Sequence, residues 1–333
     1  MKKQEIEAAF LHSVLTSDKK SVWRDIVNKT WEIMSQELPE SNYDLEISHR
    51  DRLVGQYDAA LLSSWELWNN FPDSVEKGSN RIIDFWKNEI NGKALLVLDA
   101  LSLRETPWIL EGAKKRGYKI EFSGPVSSEL PSETTEFAKA IGFPQRSALT
   151  QTETNSSHVL PNTKTASCDL PWEDCIPLVE AKENFVFWHH WPDSRMHDLS
   201  EPGDGFQTLV KEAKTKLGSD EFWSFIERLT TGRKLVITSD HGYAASSLFY
   251  DVTDKEQATY LKETFKSGRC LRDGKVSDKW APPLEVELNG SNNSSFSFVL
   301  GRRKWKSAGG YPTLLHGGLT LLEVLTPFIV ISR

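Results

Sequence analysis

Long apolar runs are missing from this 333-residue chain. No segment reaches the roughly 20 consecutive apolar residues that a membrane-spanning helix needs, and the start, MKKQEIEAAFLHS, lacks the uninterrupted apolar core of a signal peptide. Cysteine is scarce as well. Cys168, Cys175 and Cys270 form an odd set with no Cys-x-x-Cys spacing, which argues against a disulfide framework or a structural zinc site. The expectation is a soluble, cytoplasmic protein. Positive charge is in deficit, with a formal net charge of −7 and a pI near 5.7, so wholesale coating of nucleic acid is excluded while a local basic channel is not. Internal repeats are absent, and so are low-complexity tracts apart from a polar stretch over residues 144–183.

What the chain does carry is a scattered set of carboxylates and histidines, each at or near the end of a strand or loop. They are Asp99 in LLVLDA, Asp193 and His197 in WPDSRMH, Asp240 and His241 in LVITSDHG, and His316 in LLHGG. The runs LLVLD and KLVITSD read as buried parallel strands that end in an acid. In an open α/β sheet the carboxyl ends of the strands form the ligand crevice, so these acids should converge there. An acid at a strand end is often a turn or N-cap residue, and Asp99 taken alone reads that way. Asp240 followed by His241 and Gly242 reads differently, because two adjacent ligands need a sharply turning backbone and glycine supplies it. Asp193 and His197, four residues apart, fall on one side of a helical turn. Six oxygen and nitrogen donors suffice for two divalent ions, and Zn²⁺ and Mn²⁺ accept both donor types. Paired metals suit in-line displacement at phosphorus.

The order Asp, a hydroxyl residue after proline, Asp-x-x-x-His, Ser-Asp-His-Gly and a late His-Gly resembles the alkaline phosphatase superfamily. The tail HGGLTLLEVLTPFIVI, after GRRKWKSAGG, resembles more narrowly the PglZ domain of bacterial phage-defence systems, with the likeness covering about residues 93 to 333. The resemblance implies a doubly wound, mostly parallel sheet flanked by helices, of alkaline phosphatase type. It also implies that Asp99, Asp240 and His241 hold one metal together with the nucleophile, and that Asp193, His197 and His316 hold the other. The diesterase branch has Pro-Thr-x-Thr with the second hydroxyl attacking; here the segment reads Pro131, Ser132, Glu133, Thr134. Thr134 is therefore the expected nucleophile, with Thr135 and Ser132 behind it. Ser132 or Thr134 reads equally as the N-cap of the helix TEFAKAIGF.

The implied function is metal-dependent hydrolysis of a phosphate ester, a diester before a monoester, on an oligonucleotide or cyclic nucleotide in phage defence or signalling. A binding reading stands beside it, in which the chain is a metal- and nucleotide-binding sensor or scaffold without turnover. No motif assigns an Arg clamp for phosphoryl oxygens; Lys139, Arg146 and Arg104 are candidates by proximity in sequence only. The cluster Lys114, Lys115, Arg116 and Lys119 reads as a solvated face. Arg302, Arg303, Lys304 and Lys306 interleave Trp305 and precede His316, which suits backbone phosphates with a base stacked nearby. Most of the twelve tryptophans should anchor the core, but Trp188 and Trp191 flank His189, His190 and Asp193 and would stack a nucleobase or wall the metal site. Histidines 189 and 190 are second-layer partners of the ligands or packed residues.

Along the chain, residues 1–90 read as helical, with Trp23, Ile26, Val27, Trp31 and Met34 on one stripe that covers the catalytic unit or engages a partner. From 91 to 333 strands and helices alternate, and Gly218 divides a long helical stretch in two. Residues 144–183 read as a lid or mobile loop that shapes substrate access. Thr253 and Glu256 stand at capping-box spacing at the start of DKEQATYLKETF.

Overall fold

The computed structural model describes residues 12, 14, 16–89, 92–274, 276–290, 294–307 and 310–333. Strands β1 (Gly92–Leu98), β2 (Lys119–Ser127), β3 (Thr163–Cys168), β4 (Asn184–His189), β5 (Arg233–Thr238) and β9 (Leu325–Ser332) form one sheet. Between β5 and β9 lie β6 (Cys270–Arg272), β7 (Glu285–Asn289) and β8 (Ser295–Val299), which make a separate three-stranded antiparallel sheet with β8 central. The main sheet runs in the order β2, β9, β5, β1, β4, β3. Its contacts β5 to β1, β1 to β4 and β4 to β3 are parallel, and β9 inserts antiparallel to both β2 and β5. This is a mostly parallel α/β sheet.

Helices cover both faces, and the strand sequences show why. In β1, Ala94, Leu96 and Leu98 point to one side, where they pack with α4 (Thr106–Lys115), α7 (Gly205–Gly218) and α8 (Asp220–Thr230), while Leu95 and Val97 point to the other. The second side is closed by Ile82 and Trp86 of α3 (Gly78–Asn88), by Phe137 of α5 (Thr134–Ala140) and by Ile141 just after it. A strand buried on both faces has no polar alternation to display, which is why LLVL reads as a continuous run. Gly218 does end α7, and Ser219 caps α8 by accepting from the Phe222 amide at 3.2 Å.

The N-terminal helices α1 (Lys19–Met34) and α2 (Tyr43–Ser63) pack on the α/β unit. Val22, Trp23, Ile26, Val27 and Met34 share one cluster with Leu103, Val286, Phe298 and the segment Leu319–Leu325, so the predicted stripe is a covering surface. A buried ion network fastens α2. Asp51 and Asp58, two turns apart on one face, both accept from Arg302, and Arg104 donates to Asp51 from the side at 2.7 Å. Gly55 lies between the two acids, where an added Cβ would stand 3.2 Å from the Arg302 guanidinium. Among the described residues, no helix is long and apolar enough to cross a membrane.

Two local expectations need correction. Residues 144–183 are not one loose loop, because TKTASC forms the edge strand β3 beside β4, with buried β-branched Thr163 and Thr165 facing alternately with polar partners. The helix α9 (Lys255–Phe265) is capped by Asp254 and not by Thr253: the Asp254 carboxylate accepts from the amides of Glu256 and Gln257, both at 2.9 Å.

Removing the Arg302 guanidinium leaves Asp58 buried without its cation and Asp51 with one in place of two. Arg302→Ala should therefore cost about 3–5 kcal/mol, read from urea unfolding, whereas Lys306→Ala at an exposed position should fall within about 0.5 kcal/mol of the parent. An Arg302→Ala protein as stable as the parent would contradict the network.

Candidate metal centre

Every ligand-type residue singled out in the sequence stands at the C-terminal edge of the main sheet. Asp99 follows β1 directly, Asp240 and His241 follow β5, and Asp193 opens the short helix α6 (Asp193–Asp198) after β4. The chain must turn within a few residues at each point. Ala100 does so in the left-handed region at φ 61°, which costs a non-glycine residue about 1 kcal/mol, and its amide then donates to Asp240 Oδ1 at 3.0 Å. The Asp193 amide donates to the Asp99 carbonyl at 3.0 Å, tying two ligand-bearing turns together. His316 comes from elsewhere: it follows the bridge Leu314–Leu315, which pairs with Ala244–Ala245.

The glycines around these ligands serve close packing as well as turning. A Cβ on Gly242 would lie 2.2 Å from the Leu322 carbonyl oxygen, so glycine is required there by close approach and not by a left-handed φ. Gly317 does sit at φ +96°, and Gly318 leaves room for Arg269, whose Nε would be 2.5 Å from an added Cβ. Arg269 and Glu323 form a buried pair at 2.7 Å, and Glu323 also accepts from the Gly318 amide at 2.8 Å. The sequence reading overlooked this clamp, although a single acid inside LTLLEVLTPFIVI is the mark of a buried charge that requires a partner.

The donors fall into two groups. Asp99, Asp240 and His241 bring ligand atoms within 4.8 Å of one another, and so do Asp193, His197 and His316. The groups adjoin, since the His241 and His316 rings stack with centroids 4.4 Å apart. His241 Nδ1 faces the Gly242 carbonyl at 2.9 Å, which fixes the proton there and leaves Nε2 aimed at Asp99 and Asp240, 3.6 and 3.5 Å away. That Nε2 is buried and has no hydrogen-bond partner, and the buried Asp193 Oδ1 has only a long approach from His197 Nε2 at 3.4 Å. An orphaned donor atom aimed into a cluster of carboxylates fits a cation bound between them.

The titration behaviour has the same cause. Burial together with the charges of Asp240 and Asp193 holds the Asp99 carboxyl well above the usual range. Burial would lower His241, but the three nearby carboxylates outweigh it and lift the imidazole to about 9. For Asp193, burial is outweighed by the His197 hydrogen bond and the histidine charges, which bring it to about 2. Burial and the charge of His241 press His316 down to about 4. Without metal, the cluster takes up protons where divalent cations would serve.

Three further side chains reach the ligands. Of the hydroxyls considered, Thr134 is the one that touches carboxylates, with Oγ1 2.9 Å from Asp240 Oδ2 and 3.2 Å from Asp99 Oδ1. Ser132 is buried with its hydroxyl unpartnered, and Thr135 is exposed. Arg146 pairs with Asp99, bringing a partly exposed cation to the site from the stretch read as a loop. Trp188 donates from Nε1 to Asp99 Oδ2 at 3.0 Å.

Other sequence candidates lie elsewhere. Trp188 is fully buried and packs edge-on against Phe137, and Trp191 is buried against Trp172, so neither offers a free face to a base. Arg302 is committed to Asp51 and Asp58, and Arg303 donates to the carbonyls of Leu300 and Pro283. Lys304 lies 4.0 Å from Asp251, and Trp305 is buried with its indole N–H on the Lys266 carbonyl. The basic segment is turned inward because its side chains serve the acids of α2 and the carbonyls of Leu300, Pro283 and Lys266. Arg104 is buried on Asp51, and Lys139 pairs with Glu136 at the surface. His189 is a packed residue, accepting from the Trp191 amide at 3.0 Å and donating to the Leu170 carbonyl at 2.8 Å, and burial brings it down to about 4. His190 meets the Ser167 hydroxyl.

Behind the ligands, Tyr243 donates to Glu105 at 2.7 Å, and burial pushes Glu105 up from 4.5 to about 7 against that hydrogen bond and the charge of Arg104. A folded-state value above the unfolded one means that its contribution to stability is complete below about 4.5 and is lost as pH rises through about 7. Glu105→Gln should therefore gain stability relative to the parent as pH climbs through that window; a constant difference in melting temperature across it would refute the assignment. In metal-loading measurements, the chelated protein should take up two divalent ions, and Asp193→Asn and Asp240→Asn should each retain one.

No protein-family model matches the chain, and no curated protein matches it by sequence. Among solved structures it is similar to the murine ectonucleotide pyrophosphatase/phosphodiesterase 5, at 10% identity and a TM-score of 0.39 over 72% of this chain and 88% of that one. The human counterpart matches with the same identity and TM-score over 72% and 87%, as does an inactive murine form in complex with AMP. An overlap of that extent carries no weight for substrate or mechanism.

Proposed function

We propose that this protein is a metal-dependent phosphoesterase that acts on phosphodiesters with the Thr134 hydroxyl as nucleophile. The observation that carries the reading is the position of Thr134 Oγ1 between the Asp99 and Asp240 carboxylates, beside His241. Asp99, Asp240 and His241 would hold one divalent ion and Asp193, His197 and His316 the other, with zinc and manganese both suited to the mixed donors. Bound there, two such ions supply positive charge to the phosphoryl oxygens and lower the pKa of oxygens attached to them toward about 7.

The chain's own groups do the rest. Asp240 accepts the Thr134 hydrogen bond and so sets the direction of the hydroxyl. Thr134 passes its proton to the Asp240 carboxylate that holds it, and its oxygen bonds to phosphorus. The bond to the ester oxygen opposite breaks, and that oxygen takes a proton from solvent and leaves as the alcohol, giving a phosphothreonine ester. Water then cleaves that ester, releasing a phosphomonoester and restoring threonine. Arg146 adds a guanidinium beside Asp99, of the right sign for the charge on the phosphoryl oxygens. Asp99, Asp240 and His241 are buried, which strengthens the electrostatic hold on the Thr134 hydroxyl.

The narrower placement among PglZ domains, with a role in phage defence or signalling, rests on the ordered motifs over residues 93–333. An oligonucleotide or cyclic nucleotide as substrate rests on the same resemblance. The inward commitment of Arg302 and Arg303 withdraws the basic segment as a second support.

The test compares bis(p-nitrophenyl) phosphate with p-nitrophenyl phosphate after chelation and return of Zn²⁺ or Mn²⁺. Metal-dependent diester turnover well above monoester turnover is expected. Thr134→Ala should lower it by at least about 10³-fold with metal content unchanged. Parent-like turnover in that variant would remove threonine from the mechanism. Bound metal with neither ester hydrolysed would instead favour a nucleotide-binding sensor or scaffold.

A further inference from the structure

A cleft of about 400 Å³ opens against the second ligand group. Its walls include His197 and His316, and none of Asp99, Asp240, His241 or Thr134. Two larger cavities, around Asp73 and Lys77, share no residue with either ligand group. Displacement at phosphorus is in line, so the leaving oxygen departs on the side opposite the attacking one. With Thr134 on the Asp99 and Asp240 side, departure is toward His197 and His316, and the cleft lies where the leaving group must go.

Its lining has a definite charge. Glu133 and Glu201 stand on it together with the hydroxyl residues Ser200, Ser267 and Ser307. One Arg reaches it, Arg269, whose side chain is 1% exposed. That guanidinium is consumed by Glu323 and by the carbonyls of Gly301 and Arg303. Glu133 keeps acceptor capacity after taking the Cys270 thiol hydrogen bond at 3.1 Å. A second phosphate or a carboxylate seated here would face two carboxylates, and among the described residues of the wall the one guanidinium is already consumed. A group that donates hydrogen bonds would find acceptors on both sides.

We propose that this cleft receives the leaving group of the phosphodiester and selects an alcohol that carries no negative charge and donates hydrogen bonds, a polyol or an amino alcohol. The inference rests on the phosphodiesterase reading and narrows it away from oligonucleotides, whose leaving strand carries further phosphates.

The experiment uses the full chain loaded with Mn²⁺ and three methyl phosphodiesters, those of glycerol, ethanolamine and glycolate, with release of methyl phosphate followed by phosphorus NMR. The expected kcat/KM for glycerol and ethanolamine exceeds that for glycolate by about tenfold or more, the size of a like-charge contact in a partly wet cleft. A larger value for ethanolamine than for glycerol would mark the carboxylate charge as the selector; equal values would mark hydrogen bonding. In the Glu133→Gln and Glu201→Gln double variant the discrimination against glycolate should shrink several-fold. A structural defect would lower all three rates together and leave the ratio in place. Equal rates for glycolate and glycerol in the parent, or an unchanged ratio in the double variant, overturn the assignment. If none of the three is hydrolysed, the hydrolase reading fails by itself. The cleft is then judged by the thermal shift that each diester gives the Mn²⁺-loaded protein, with a shift from glycolate equal to that from glycerol overturning it.

Discussion

Three buried carboxylates crowd one spot, and the arrangement of the sheet makes this unavoidable. Strands β5, β1 and β4 are adjacent and parallel, so their C-terminal ends lie about 4.8 Å apart in sequence along the edge. An acid placed just after each strand gives Asp240, Asp99 and Asp193 with no need for long loops. Like charges at that spacing, away from water, do not remain ionised without a counter-charge. In the polypeptide alone the counter-charge comes from a His241 imidazole lifted to about 9 and from Arg146. Neither would match two divalent ions in charge or in coordination, and the buried His241 Nε2 is left without a partner.

A second buried network holds the outer layer to this edge. Asp51 and Asp58 of α2 meet Arg302 and Arg104, and Asp58 also accepts from the Leu321 amide at 2.9 Å. Arg104 in turn donates to the Tyr243 carbonyl at 2.8 Å, two residues beyond the ligand His241. The helical N-terminal segment is thus linked through charge-assisted hydrogen bonds to the turn that carries Asp240 and His241. Such a network fixes geometry more than it adds net stability, since desolvating the charges offsets most of their attraction. Fixed geometry is what a set of ligands needs when several of them come from different turns.

The parts of the fold legible in the sequence were those decided locally. Apolar runs bounded by turn residues gave β1 and β5, and the residue types at their ends gave ligand candidates. The preference for Thr134 over Thr135 and Ser132 came from the Pro-x-x-Thr resemblance and not from local rules, because three neighbouring hydroxyls differ only in which way the turn after Pro131 directs them. Arg302 and Trp305 misled for a related reason: a basic, aromatic segment looks alike whether its side chains meet solvent or the acids of a distant helix, and Asp51 lies far away in sequence. Residues 144–183 misled by composition, since an edge strand with one polar side has little apolar content to reveal it.

The two halves of the site also differ in origin within the fold. Asp99, Asp193, Asp240 and His241 belong to turns of the main sheet, whose rigidity follows from strands buried on both faces. His316, Ser267, Arg269, Cys270 and Ser307 belong to the segment between β5 and β9, which carries its own three-stranded sheet and its own small core around Leu261, Phe265 and Trp305. That segment is fastened back to the sheet by Arg269 on Glu323, just before β9. Substitutions at Ser267 or Ser307 on the cleft wall therefore change its lining while leaving the turns that position Thr134 in place. The cleft itself draws on both parts, because the inserted segment brings Ser267, Cys270 and Ser307 while the two acids, Glu133 and Glu201, come from turns just before α5 and just after α6. On the proposed reading, selectivity would be shared between the sheet and the insertion.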